Sequence, residues 1–216
     1  MDVRDNDAPK RGRPPVHHRA DLLEVAALVV VERGYEGLRF QDLADASGVP
    51  AASLRHYFPT IGGLRHEALM HSVRREMEQL AEQVAAHDDP WEQIREIIVS
   101  SLGTEAAVRR HSWLLWLEYW RNAARDEVLA RHSDEIDADW TAMTMRAVQA
   151  GVESGQFHLD QTMERAAYEV TILTDGAGLA IAIEPDNDEL AAAQIEHVLR
   201  AARRMLGVSP PPDARV

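Results

Sequence analysis

The stretch that most constrains the fold runs from residue 40 to residue 58, FQDLADASGVPAASLRHYF. Its apolar residues mark one helical face before the central turn and the start of a second face after it: Phe40, Leu43, Ala44, Leu54, Tyr57 and Phe58. Between them, Gly48 suits the position after a helix C-terminus and Pro50 suits the first turn of the next helix. The stretch therefore predicts a helix-turn-helix, whose second helix is of a size to enter the major groove of DNA.

Helical periodicity extends over most of the 216 residues. Long stretches rich in Ala, Leu, Glu and Arg carry no strand-like alternation, so the predicted fold class is all-α with about nine helices. We expect a disordered basic arm over 1–15, a helix-turn-helix DNA-binding domain over 16–62, a helical ligand-binding and dimerisation domain over 63–207 and a flexible tail over 208–216. Thr60 and Asp89 are predicted to cap the long fourth helix and the fifth helix. Gly151 and Gly155 are predicted to end the seventh helix, and Asp160 to begin the eighth.

Several classes of protein are disfavoured by what the chain lacks. Without cysteine there are no disulfides, thiolate metal ligands or Cys nucleophiles. No apolar run approaches the about 20 residues that a membrane span requires, and the charged N-terminus has no signal-peptide core. We therefore expect a cytoplasmic protein with no membrane segment.

The net charge of −13 is unevenly distributed along the chain. Residues 1–65 contain nine Lys or Arg and nine Asp or Glu, so the whole acidic excess belongs to residues 66–216. A local positive face near the turn remains compatible with the acidic total. Within the arm, Lys10, Arg11 and Arg13 favour insertion into a narrow minor groove, and a solubilising tail is the alternative.

The letters from Leu22 to Leu64 also resemble the N-terminal domain of TetR-type transcriptional regulators. The resemblance rests on Gly34, Gly37, Leu43-Ala44, Ala46, Gly48-Val49, Ser53-Leu54, Tyr57-Phe58-Pro59 and Leu64. It implies a regulator that binds a DNA operator, most often as a repressor. It also implies that the Tyr57 hydroxyl donates to a backbone phosphate, while Phe58 lies in the core.

The residues predicted to contact DNA are those at the outward and N-terminal positions of the two turn helices. In addition to the arm residues they are Arg39, Gln41, Ala51, Ser53, Arg55, His56 and Tyr57. Arg55 is the candidate for reading a base, because a guanidinium pairs in bidentate fashion with guanine, and a phosphate contact is the alternative. Three positions depart from the family pattern: Arg39 replaces a capping Thr, Arg55 replaces a Tyr, and Ile61 replaces a phosphate-binding Lys.

The C-terminal part carries an aromatic and acidic group that predicts a small-molecule site. Its members are Trp113, Trp116, Glu118, Tyr119, Trp120, Trp140, Met143, Tyr168 and Asp175. Such a group suits a cationic or flat molecule, and plain core packing is the alternative. The W-L-x-x-W and D-G-x-G-L-A letters resemble the choline-responsive BetI-like branch of the same family.

The last two helices have more apolar surface than one small domain consumes, which favours a homodimer of four packed helices. The family resemblance implies the same pairing. An ordinary intramolecular core is the alternative.

Two other functions compete with that of a ligand-responsive repressor. An enzyme is disfavoured, because the contiguous His132-Ser133-Asp134 cannot converge on a helix, and no cofactor or metal set is expected. Adjacent His17 and His18 point to different faces, and Glu67 with His71 lacks further ligands. A helical sequestering protein that has lost specific DNA binding stays open, since Ile61 removes a phosphate contact.

Overall fold

The computed structural model describes residues 18–208, and within them the chain is all-α. Nine α-helices and one 3₁₀ turn follow in order: α1 Arg19–Arg33, the 3₁₀ turn Tyr35–Gly37, α2 Phe40–Ser47, α3 Ala51–Tyr57, α4 Ile61–Ala85, α5 Pro90–Leu102, α6 Ala106–Ala123, α7 Glu127–Glu153, α8 Met163–Ile183 and α9 Asp188–Met205. The predicted fold class is confirmed over this range. The basic arm and most of the tail lie outside the described residues.

The predicted helix ends are set by local chemistry that the sequence shows. Gly48 adopts φ 72° directly after α2, a left-handed conformation that side-chain-bearing residues rarely take. The Thr60 hydroxyl accepts from the Gly63 N–H at 3.0 Å and starts α4. Asp89 accepts from the Glu92 N–H at 3.0 Å and starts α5. Both caps are therefore confirmed.

Some boundaries differ from the prediction. The eighth helix was expected to begin at Asp160, but it begins at Met163 with Thr162 as its cap. Gly151 was expected to end α7, yet it lies inside the helix, where a Cβ would come within 2.1 Å of the Phe157 ring. This glycine therefore makes room for an aromatic ring rather than stopping the helix.

The start of α2 keeps one cap interaction although Arg39 stands at the N-cap position. Its side chain has no acceptor, but its backbone N–H donates to Asp42 Oδ2 at 2.9 Å. Asp42 also pairs with Arg33 at the end of α1. Part of a capping box is thus kept by the third residue of the helix.

The core divides into two clusters that do not separate at residue 62. The N-terminal cluster joins α1–α3 to the first half of α4 and also includes Leu115, Tyr119, Leu129 and Ile136 from α6 and α7. The C-terminal cluster joins the end of α4 to α5–α9. Helices α4, α6 and α7 therefore take part in both clusters, and the division into domains stays a prediction.

Helix α8 is more apolar than the prediction of no run near membrane-spanning length implies. By length and composition alone, Met163–Ile183 could cross a membrane. In the structure it packs against α5, α6, α7 and α9, and Val170, Ala177 and Ile181 are buried in the C-terminal cluster. A core helix meets the same compositional test, so this packing accounts for its character.

Candidate DNA interface and effector cavity

The second helix of the turn motif, α3, anchors itself by one side and leaves the other exposed. Leu54 is fully buried beneath it, while Arg55 and His56 are exposed. Ala51, Ser53 and Tyr57 are half-buried at its edges. The residues predicted for the groove are thus on the accessible side or at its margins, as a recognition helix requires.

Arg55 is held in place by the preceding helix. Its guanidinium lies over the ring of Phe40 with 4.7 Å from Cζ to the ring centre. Such a cation–π contact restrains the long arginine side chain while the guanidinium keeps its positive charge. Arg55 is therefore positioned before any DNA arrives.

The start of α2 supplies two further exposed polar side chains, Arg39 and Gln41. The Gln41 amide donates to Asp45 at 2.7 Å, so this side chain has an intrahelical partner. Lys10, Arg11 and Arg13 lie outside the described residues. Their predicted role remains a prediction.

A cavity of about 570 Å³ lies among α4, α5, α6, α7 and α8. Six of the nine residues predicted for ligand binding line it: Trp113, Trp116, Trp120, Trp140, Tyr168 and Asp175. This size suits a small organic molecule. The structure thus brings together most of the aromatic group that the sequence singled out.

The other three predicted residues do not line this cavity, and their role in ligand binding stays a prediction. Tyr119 is fully buried in the N-terminal cluster, where its ring meets that of Trp116 edge-on at 5.8 Å between ring centres. Met143 is buried within the C-terminal cluster. Glu118 faces the 3₁₀ turn, where its carboxylate accepts from the Tyr35 N–H at 2.9 Å. Their closeness to the tryptophans in the sequence did not reveal which side chains would reach the cavity.

The tryptophans form one connected aromatic wall. Trp116 lies 5.7 Å from Trp120 and 6.5 Å from Trp140 between ring centres, and Trp113 lies 6.2 Å from Trp120. Trp113 packs against α8 where Gly178 gives it space, since a Cβ there would lie 1.6 Å from the indole. The indole N–H of Trp113 is buried with no hydrogen-bond partner among the described residues. A ligand with a nearby acceptor would satisfy it.

Sequence reasoning missed two carboxylates that line the cavity, Glu76 on α4 and Asp137 on α7. Glu76 accepts from the Trp116 indole N–H and from the Ser112 hydroxyl, each at 3.1 Å. The position of Glu76 could have been predicted from the sequence, because it lies beside Met77 on the apolar side of α4 that also holds Val73 and Leu80. Asp137 is similarly next to Ile136 and three residues before Trp140.

Burial, and in one case a neighbouring carboxylate, raises the pKa of two of the carboxylates that line the cavity. Burial raises the pKa of Glu76 above its ordinary value, although the bonds from Ser112 and Trp116 oppose the shift. Burial, and then the negative charge of Asp137, raise the pKa of Asp175 to about 6. The described lining contains three carboxylates and no Lys, Arg or His. The cavity is therefore electrostatically suited to a cation.

The histidines of α4 do not assemble a metal site within residues 18–208, where no group of three or more suitable ligands occurs. Glu67 instead pairs with Arg19 of α1. The rings of His66 and His132 are 5.2 Å apart, and burial, followed by His132, lowers the pKa of His66. The contact between His66 and His132 joins α4 to α7 beside α1.

Comparison with known proteins identifies the class of protein to which this chain belongs. Residues 22–68 match the family described as bacterial regulatory proteins of the tetR family, and residues 90–207 match the BetI-type transcriptional repressor C-terminal family. The HTH-type transcriptional repressor KstR2 of Rhodococcus jostii (strain RHA1) is 26% identical over 192 residues, 82% of each chain. The probable acrEF/envCD operon repressor of Escherichia coli (strain K12) is 27% identical over 74% of this chain and 71% of its own.

Solved structures share the fold. A transcriptional regulator from Saccharomonospora viridis, determined in complex with choline, has a TM-score of 0.74 at 20% identity, covering 89% of this chain and 98% of its own. The helix-turn-helix and the helical C-terminal part define a DNA-binding transcriptional regulator. The chain belongs to the TetR family, and it is a DNA-binding transcriptional repressor with a C-terminal part of the BetI type.

Proposed function

We propose that this repressor binds a pseudo-palindromic operator as a homodimer and is released from it by an organic cation. In this proposal each protomer places one α3 in the major groove. Two copies roughly 34 Å apart read half-sites one helical turn apart. Arg55 contacts a base, while Arg39, His56 and Tyr57 contact the backbone.

The observation that carries the effector class is the composition of the cavity. Four tryptophans and Tyr168 offer ring faces, and Glu76, Asp137 and Asp175 offer negative charge without a basic residue in the described lining. Ring faces and carboxylates together favour a cation that keeps an apolar surface. The choline bound to the Saccharomonospora viridis regulator is a cation of this class.

Two helices support a route from the cavity to the DNA-binding helices. Helix α6 presents Trp116 to the cavity and Glu118 to the 3₁₀ turn before α2. Helix α4 presents Glu76 to the cavity, and near its start Arg65 donates to the carbonyl oxygens of Leu38 at 3.0 Å and Glu36 at 2.7 Å. A cation that binds to the Glu76 carboxylate would disturb its hydrogen bond with Trp116, and the resulting shift of α4 and α6 would change the spacing of the two α3 helices.

Fluorescence of the cavity tryptophans provides the direct test. Choline and benzyltrimethylammonium are titrated into the purified dimer, and the uncharged tert-butyl isostere of choline is the matched control. The proposal expects saturable quenching by the cations and little by the isostere, because only a positive charge engages the carboxylates. Equal binding of charged and uncharged probes would contradict the cationic effector. Loss of choline binding in Glu76→Gln would place the cation beside that carboxylate.

A further inference from the structure

The carboxylates that line the effector cavity fall into two separate groups. Glu76 is half-buried on α4, where the Ser112 hydroxyl and the Trp116 indole N–H donate to it, each at 3.1 Å. Asp175 on α8 is half-buried and Asp137 on α7 is exposed, so this second group lies toward the opening of the cavity. The cavity therefore has an inner carboxylate and an outer carboxylate pair.

The electrostatics of the three carboxylates agree with this division. Burial, and then the negative charge of Asp137, raise the pKa of Asp175, so these two carboxylates are neighbours. Among the described residues, burial is the only cause that raises the pKa of Glu76, and neither aspartate contributes to its shift. A single ammonium group bound at one of the two groups would therefore leave the other without a neutralising charge.

An aromatic surface connects the inner carboxylate to the outer pair. The indole N–H of Trp116 donates to Glu76, while that of Trp140 donates to the Thr171 hydroxyl at 3.1 Å, one turn of α8 before Asp175. The two indole rings meet edge-on with 6.5 Å between their centres. Each tryptophan is thus held near one carboxylate group, and the aromatic wall runs from one group to the other.

Two further features of the cavity point to a ligand of some length. A volume of about 570 Å³ holds a drug-sized molecule, so a small ammonium ion alone would fill only part of it. Trp113 is only 4% exposed, yet its indole N–H has no hydrogen-bond partner among the described residues. Because a buried donor without a partner is costly, this N–H points to an acceptor that a ligand supplies.

We infer that the effector is an elongated dication, with one positively charged nitrogen at the inner carboxylate Glu76 and a second at the outer pair Asp137 and Asp175. Its apolar linker lies along the tryptophan rings. This inference rests on the proposed function, which supplies a cationic effector, and it adds the number and the spacing of the charges. Because the two ends are joined, binding of one end holds the other near its carboxylates, provided that the linker spans both groups.

Calorimetric titration of the purified protein with hexamethonium and decamethonium tests the inference, because both carry a trimethylammonium group at each end of a polymethylene linker. Their controls are the monocations in which tert-butyl replaces one trimethylammonium group, which keeps the shape and removes one charge. The dication whose linker fits better should bind at least about tenfold more tightly than its control. The two dications should differ in affinity, because only a linker of matching length reaches both groups.

Substitutions at each group locate the two charges. Glu76→Gln should reduce the preference for the dication over its control to about twofold or less, and so should the double variant Asp137→Asn, Asp175→Asn. Glu82→Gln is the matched control, because Glu82 is an exposed residue of α4 that does not line the cavity. It should keep the full preference, which separates the two groups from general attraction to a chain of net charge −13. Circular dichroism verifies that each variant is folded.

The outcomes distinguish this inference from the proposed function. Equal affinity for a dication and its control, while the control binds, would overturn the inference and leave a singly charged effector in place. A preference that survives in both Glu76→Gln and the double variant would also overturn it, because the attraction would then come from elsewhere. If neither the dications nor the monocations bind, the cationic effector itself fails, and the inference fails with it.

Discussion

The backbone N–H of Tyr35 donates to the carboxylate of Glu118 at 2.9 Å, joining two residues 83 positions apart. Tyr35 opens the 3₁₀ turn that leads into α2, and Glu118 lies on α6 between the cavity tryptophans Trp116 and Trp120. Arg121 and Asn122 also donate to this carboxylate, at 2.9 and 3.4 Å. The carboxylate is therefore a fixed contact between the ligand-binding part and the DNA-binding helices.

Replacing Glu118 by Ala should weaken communication between the two parts without removing either activity. Cation binding should persist, because Glu118 does not line the cavity. The ratio of operator affinities without and with cation should fall toward one, from a value of about 5 to 150 that is typical of allosteric coupling. Fluorescence anisotropy of labelled operator measures both affinities. An unchanged ratio would mean that α4 alone carries the coupling.

Arg55→Ala should reduce specific operator binding by about 1–3 kcal/mol and relax preference at one base position. Helical content should not change, since Arg55 is exposed and its ring partner Phe40 remains buried. Arg131→Ala removes an exposed arginine on α7 and serves as the matched control. Uniform loss across all sequences would reassign Arg55 to a phosphate contact. Retained operator binding by the double variant Arg55→Ala, Tyr57→Ala would reject the α3 interface altogether.

Asp175→Asn should stabilise the protein near neutral pH. The pKa of Asp175 is raised from 3.8 to about 6 in the folded chain, so the folded state holds this proton more tightly than the unfolded state. Its contribution to stability is complete below about pH 4 and is lost as the pH rises through about 6. We expect a gain of about 1 kcal/mol at pH 7, allowing for partial solvent screening, which disappears near pH 4. Urea unfolding of this variant and of the exposed-site control Asp139→Asn measures the difference.

The same carboxylate should make cation binding depend on pH. Affinity for benzyltrimethylammonium should rise between about pH 5 and pH 7, as Asp175 loses its proton and gains negative charge. In Asp175→Asn the rise over this interval should be small, although Glu76, whose pKa is also raised, retains part of it. Fluorescence titration at several pH values follows the change. A pH-independent affinity in the wild type would remove Asp175 from the cation site.

Gly178→Ala should disturb the aromatic wall. A Cβ there would lie 1.6 Å from the Trp113 ring, so the indole must move or α8 must shift, at a cost of about 1–3 kcal/mol. At the exposed Gly62 of α4 a Cβ would meet nothing within 4 Å, and Gly62→Ala is the control. Thermal unfolding and tryptophan emission should change for the first variant alone. Equal stability of both variants would show that Trp113 has more freedom than the packing indicates.

Local signals in the sequence were sufficient for the helices and poor for the orientation of side chains. Gly48, Thr60 and Asp89 act through neighbours within a few positions, so their effects could be read from the letters. Whether Glu118 faced the cavity or the Tyr35 turn depended on how α6 packs between two clusters, which no short pattern contains. Gly151 shows the same limit, because a glycine at this position makes room for the ring of Phe157 and does not end the helix.

The effector cavity was partly predictable for the same reason. Trp113, Trp116 and Trp120 are close in sequence and share one side of α6, so their clustering followed from helical spacing. Glu76, Asp137 and Asp175 come from three different helices, and only the tertiary fold brings their charges to one space. Of the three carboxylates, Asp175 was predicted from the sequence, while Glu76 and Asp137 were found only in the structure.

Footprinting of DNA flanking the chain's own gene, with and without cation, tests the central claim most directly. At about 0.15 M salt the account predicts saturable protection of two half-sites roughly 34 Å apart, centre to centre, which is lost in Arg55→Ala and released by choline or benzyltrimethylammonium but not by the uncharged isostere. Protection without sequence preference, or protection that no organic cation alters while the cation demonstrably binds, would contradict it.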